Sequence, residues 1–139
     1  PEESTRPDFV EALRTLVSTL QTLHPVELRL RTETASLRLQ PREEVHALQI
    51  VRECVSNALR HGHATRIEVT LTLEQGAPTL RIRDNGRGFD PEIARRSGGS
   101  GLANVTARAA EIGATLDLQS APGKGTGVSI RFNHTSKIA

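Results

Sequence analysis

The chain has 139 residues, of which 36% are hydrophobic and 24% charged, with a formal net charge of +2. That length and mix fit one soluble globular domain with a single core, and no apolar run approaches the roughly 20 residues of a membrane helix. The pI near 9.4 arises from arginines scattered among acids, and Phe9, Phe89 and Phe132 are too few for a base-stacking surface, so nucleic acid is not an expected partner.

Pro1 rather than Met at the start leads us to expect a segment of a longer polypeptide. The single Cys54 has no internal disulfide partner and no signal-peptide pattern precedes it, which suits the cytoplasm.

From Asp8 to Leu23, Phe9, Val10, Leu13, Leu16, Val17 and Leu20 recur at helical spacing behind the start signal Thr5, Pro7 and Asp8. Pro25 closes that helix. Val26, Leu28 and Leu30 then alternate with Glu27, Arg29 and Arg31 as a half-buried strand does, and Leu37 and Leu39 suggest a second short strand. Pro41 with Glu43 and Glu44 opens a long helix to about His61, because proline suits the first turn and acids favour the positive end of the helix dipole.

Ile67, Val69, Leu71 and Leu73 form an alternating strand. A turn at Gln75-Gly76-Ala77-Pro78 leads to a second strand with Leu80 and Ile82, predicting a β-hairpin. Leu102, Val105, Ala109 and Ile112 mark a further helix that Gly113 terminates. Leu116 and Leu118, then Val128, Ile130 and Phe132, make two last strands. Half-buried strands with three amphipathic helices are best satisfied by an α+β two-layer sandwich, a mixed sheet with helices packed on one face. One domain over 1–132 is expected, with a frayed tail over 133–139.

On the long helix, Asn57, Arg60 and His61 fall at about 40°, −20° and 80° from Glu53 at 100° per residue, so four polar groups share one face. The opposite stripe, Leu48, Val51, Val55, Ala58 and Leu59, is expected on the sheet. A polar face is ordinarily just solvated. It is also chemically apt, since a carboxylate and an amide one turn apart suit a hydrated Mg²⁺ that bridges to phosphates. His61 and His63 lack the third partner that zinc would require.

Eight of the eleven glycines fall in three groups: Gly86 and Gly88; Gly98, Gly99 and Gly101; Gly123, Gly125 and Gly127. In the first, Asp84-Asn85-Gly86-Arg87-Gly88-Phe89 ends a strand on a carboxylate and opens into a loop whose amides can approach a ligand, although in isolation it is an ordinary turn. The second directly precedes a helix, where free amides bind phosphate or Ser100 caps. The third reads by itself as a hairpin turn. No P-loop Gly-Lys-Ser/Thr follows any of them, and the first strand-turn-helix unit lacks glycines, against a Rossmann fingerprint.

In order, Glu53-Cys54-Val55-Ser56-Asn57, Asp84-Asn85-Gly86-Arg87-Gly88, Gly99-Ser100-Gly101-Leu102 and Gly125-Thr126-Gly127 resemble the four boxes of a sensor histidine kinase ATP-binding domain. Within that family, Val45 to Arg60 and Leu102 to Ala109 are most similar to the nitrate/nitrite-sensor type. The fold is shared with gyrase, chaperone and mismatch-repair ATPases and with anti-sigma-factor serine kinases. The resemblance implies ATP and Mg²⁺ as ligands, with Asn57 on the metal and Glu53 beside it. It implies that Asp84 accepts from the adenine amino group, with Gly86 and Gly88 giving base and ribose room. Phe89 to Ser100 would be a short lid, Gly99, Ser100, Gly101 and Leu102 would lie near the phosphates, and Thr126 would help bind adenine. Arg60 and His61 stand where the family often has a basic residue and a histidine.

Such kinases phosphorylate a histidine on an upstream dimerisation domain, and no helical segment here carries the acid-flanked pattern of that acceptor. His24 beside Pro25 reads as a structural helix end. The expected partners are therefore ATP, a dimerisation and phosphoacceptor domain of the same parent protein, and through it a response regulator; the segment itself is expected to be monomeric, in a parent with or without an inner-membrane anchor. An ATP-driven conformational switch and an anti-sigma-type serine kinase are the alternatives. The switch is disfavoured because Arg60 stands where gyrase-like proteins place an aspartate.

Overall fold

A computed structural model of the chain describes residues 8–97 and 102–134. The first helix, α1 (Phe9–Leu23), starts where the Asp8 carboxylate accepts the Glu11 amide at 3.0 Å, a side-chain cap for a donor the helix cannot satisfy itself. All six periodic apolar residues, Phe9 to Leu20, are buried. Strand β1 (Glu27–Thr32) follows, then α2 (Pro41–Arg60). At its start the Gln40 amide donates to Glu43 Oε1 at 2.9 Å, and Pro41 occupies a position where no amide is needed.

Strands β2 (Arg66–Glu74) and β3 (Ala77–Asp84), the short helix α3 (Pro91–Ser97), α4 (Leu102–Glu111), and strands β4 (Thr115–Ser120) and β5 (Thr126–Arg131) complete the chain. The sheet order is β1-β2-β3-β5-β4. β1 pairs parallel to β2 and every other pair is antiparallel. The parallel pair needs a crossover, which α2 supplies by lying across the sheet. Helices cover one face, and Ile67, Val69, Leu71, Leu80, Ile82, Val128 and Ile130 point into the single core they share with α1, α2 and α4.

Several local expectations change. Leu37 and Leu39 are buried but form no strand. Their alternation reports one-sided burial only, because the Leu37 carbonyl accepts the Phe9 amide at 2.9 Å at the start of α1 rather than a strand neighbour. The hairpin turn is Gln75-Gly76 alone, with φ of 53° and 83°, the two-residue form whose twist matches the strands; Ala77 and Pro78 belong to β3. The expected lid contains α3, opened by Asp90, whose Oδ1 accepts the Glu92 amide at 2.9 Å. On α2 the buried stripe is Ala47, Ile50, Val51, Cys54, Val55 and Ala58, with Leu48 and Leu59 partly buried beside it. Of the expected tail, Asn133 accepts from Thr115 at 3.2 Å and donates to the Gly113 carbonyl, and His134 contacts Glu43 at 2.9 Å; 135–139 lie outside the described residues.

Leu37→Ala is expected to lower unfolding free energy by about 2–5 kcal/mol in urea titrations, whereas Leu23→Ala, at an exposed position, changes it by less than about 0.5 kcal/mol. Equal effects would show that the 33–40 segment is not part of the core.

Candidate nucleotide site

A cavity of about 550 Å³ opens between α2, the ends of β3 and β5, and α3, large enough for a nucleotide-sized ligand. Asp84, Ile82, Thr126 and Val128 form its sheet side, and Cys54, Asn57, Ala58 and His61 form its helix side. Phe89, Ile93 and Leu102 also line it. The wall is mainly apolar with a few polar groups, the composition that binds a flat heterocycle and still orients it.

Asp84 is the last residue of β3, paired with Thr126 of β5. Its Oδ1 accepts the Gly86 amide at 2.8 Å. Burial pushes its pKa above the usual value, against the lowering by the Gly86 and Thr126 backbone amides. A carboxylate in this state gains from a further N–H donor. Thr126 shares its hydroxyl with Ser120 at 3.0 Å, and Ser120 in turn donates to the Gly125 carbonyl at 2.9 Å and accepts the Phe89 amide at 3.0 Å.

The glycines serve backbone packing first. A Cβ on Gly86 would stand 2.7 Å from the Gly62 carbonyl oxygen; on Gly88, 2.1 Å from that of Ala121; on Gly125, 2.2 Å from that of Asp84. Gly88 and Gly125 also have φ of 65° and 75°, the left-handed region that side chains resist. The Arg87 amide donates to the Gly62 carbonyl at 2.8 Å, tying the loop after β3 to the end of α2. Asn85 completes the tie: its Oδ1 accepts the Thr65 and Arg66 amides at 3.0 and 2.9 Å.

The four polar residues of α2 part company. Asn57 and His61 stand on the cavity wall. The Asn57 side chain makes no hydrogen bond among the described residues, while its carbonyl accepts the His61 and Gly62 amides that end the helix. Glu53 turns to α4, where Arg108 Nε donates to Oε1 at 3.1 Å. Arg60 is exposed and off the wall. Gly99, Ser100 and Gly101 lie outside the described residues, and Leu102 lines the cavity.

Cys54, Ser120 and Arg108 were not legible as site neighbours. Burial, then the charges of Glu53 and Asp84, push the Cys54 thiol up to about 12, so it is a neutral wall atom. Its spacing, three residues before Asn57 and four before Ala58, was the available signal. No group of three or more His, Cys, Asp or Glu converges among the described residues, which excludes a protein-only metal cage there. Asn57, with its side chain unused on the wall, fits an ion that takes few protein ligands and keeps its waters.

Residues 42–136 match the family described as histidine kinase-, DNA gyrase B-, and HSP90-like ATPase. The chain is 40% identical over 126 residues to the nitrate/nitrite sensor protein NarQ of Escherichia coli (strain K12), covering 90% of this chain and 22% of that protein. It is 34% identical over 121 residues to the sensor protein VraS of Staphylococcus haemolyticus (strain JCSC1435), covering 87% and 34%. It thus spans between a fifth and about a third of these curated relatives. In fold it is similar to the ATP-binding domain of PrrB from Mycobacterium tuberculosis, with a TM-score of 0.71 at 20% identity over 94% of this chain and 96% of that one. By the match over most of its length, the chain belongs to the histidine kinase-, DNA gyrase B-, and HSP90-like ATPase family.

Proposed function

We propose that this chain is the ATP-binding catalytic domain of a two-component sensor histidine kinase. It binds Mg·ATP and presents the γ-phosphate to a histidine on a separate dimerisation domain. The observation that carries this is one cavity with Asp84 on its sheet side and Asn57 on its helix side. Asp84 accepts the adenine amino group, and Thr126 and the apolar wall hold the ring. Asn57 holds Mg²⁺, which supplies neutralisation of phosphate charge, and His61 lies on the same wall. Leu102, with Gly99, Ser100 and Gly101 before it, flanks the phosphates.

Phosphoryl transfer depends on positioning and charge neutralisation more than on covalent help, so a domain that only holds ATP is sufficient on the donor side. The acceptor comes from elsewhere. His24 caps α1, its amide bonded to the Leu20 carbonyl at 3.0 Å and its carbonyl to the Val26 amide at 2.9 Å, which supports a structural role. Relatives that are sensor proteins support a response regulator as the downstream partner. No helix among the described residues is long and apolar enough to cross a membrane, and a cytoplasmic position of this domain is part of the proposal.

Incubated with labelled ATP and Mg²⁺, the chain alone is expected to bind nucleotide and remain unlabelled; adding the dimerisation segment yields acid-labile phosphohistidine on that segment. Binding without transfer would replace the kinase with an ATP-driven switch, and label on His24 would overturn the donor assignment. In calorimetry, Asp84→Asn is expected to weaken ATP about tenfold or more with or without Mg²⁺, whereas Asn57→Asp alters mainly the Mg-dependent part and slows transfer. Unchanged affinity and turnover in both would sink the site. Because burial holds Asp84 above the usual carboxylate range, acidification through that raised value protonates it and weakens ATP binding, a limb that Asp84→Asn should lack.

A further inference from the structure

Glu53 is held by α4, the helix that follows the lid segment in the chain. Arg108 Nε of α4 donates to Glu53 Oε1 at 3.1 Å, and its Nη1 stands 3.4 Å from His46 Nδ1, two turns earlier on α2. The pair is largely withdrawn from water, with Glu53 16% and Arg108 32% exposed. A guanidinium fork ordinarily takes both oxygens of a carboxylate. Here it takes one and spends its other arm toward His46.

The consequence is an oxygen without a partner. Glu53 Oε2 is buried and unpaired among the described residues, a state shared only with Glu44 Oε2. Leaving a buried acceptor without a partner is costly, and Glu53 differs from Glu44 in standing one turn from Asn57, a residue that lines the cavity. A donor that arrives with the ligand would satisfy it. Mg²⁺ brings such donors, because it keeps several waters when few protein groups reach it.

We propose that Arg108 is a positioning residue that pins Glu53 by Oε1, so that Oε2 accepts a hydrogen bond from a water on the Mg²⁺ held at Asn57. This role rests on the Mg·ATP function proposed above. It makes α4, the helix after the lid segment, a supplier of outer-shell order to the metal. It also accounts for the one-oxygen geometry, since a bidentate grip would occupy Oε2 as well.

A purely structural role for the pair is separable, because α2 and α4 share a second ion pair, Arg42 with Glu111, whose partners are both mostly exposed. The test is calorimetry of a non-hydrolysable ATP analogue on the chain, titrated with Mg²⁺ and repeated in EDTA, with thermal melts alongside. Arg108→Ala is expected to raise the half-saturating Mg²⁺ about tenfold, with affinity in EDTA unchanged within about twofold. Arg108→Lys recovers part of the shift. In a Glu53→Gln background Arg108→Ala adds less than about twofold, as members of one unit do, and Arg42→Ala leaves the Mg²⁺ midpoint unmoved. Two results would overturn the role: an unshifted midpoint in Arg108→Ala, or an equal shift in Arg42→Ala. If the unaltered chain binds no nucleotide in either condition, the Mg·ATP function falls and this role with it, an outcome distinct from normal binding with an unshifted variant.

Discussion

The site depends on a seam where backbone meets backbone with no side chain between. Gly86 rests on the carbonyl of Gly62, Gly88 on that of Ala121 and Gly125 on that of Asp84. The seam joins the end of α2, the end of β3 and the β4–β5 turn, each of which supplies cavity wall. Any Cβ at these contacts would force the elements apart, and with them Asp84 from Asn57. The hydrogen bonds of Arg87 to Gly62 and of Asn85 to Thr65 and Arg66 fix the same junction laterally. Precision in the pocket is therefore a property of main-chain packing, which is more rigid than a cluster of loop side chains.

The polar residues of α2 divide their work. One helix face carries Glu53 and Asn57 one turn apart, yet Asn57 stands on the cavity wall and Glu53 is paired to α4. His61 reaches the wall because it is the C-terminal cap, where the helix turns back toward the β3 loop. Arg60, a residue earlier, is on the exposed side. The same helix buries Val51, Val55 and Ala58 in the core, so a shift in its packing moves Asn57 and the helix side of the cavity with it.

Much of the fold was legible because periodicity tracks burial. Every apolar position expected on α1 is buried, and the strands over 66–84 and 115–131 follow the alternation of Ile67, Val69, Leu80, Ile82, Val128 and Ile130. Alternation at Leu37 and Leu39 misled because burial on one side does not require a strand partner. Asp84 and Asn57, singled out from their motifs and the family resemblance, both line the cavity. Cys54, Ser120 and Arg108 were not legible in the sequence, since a thiol on a helix, a hydroxyl at a strand end and one arginine among many carry no local signal of what they touch across the fold. The glycines were expected to make room for a ligand, and their closest neighbours are other parts of the chain, a relation visible only in three dimensions.

In the proposed function the Asp84 carboxylate, on the sheet side of the cavity, selects the base by accepting its amino group. Adenine offers a donor at that edge, whereas guanine offers a carbonyl that would face the carboxylate acceptor to acceptor. The most direct measurement is the affinity of the chain for ATP against GTP in the same buffer, with Asp84→Asn in parallel. The account predicts that ATP binds at least about tenfold tighter than GTP, and that the preference collapses in Asp84→Asn. Equal affinity for the two nucleotides, or a preference that survives the substitution, would contradict it.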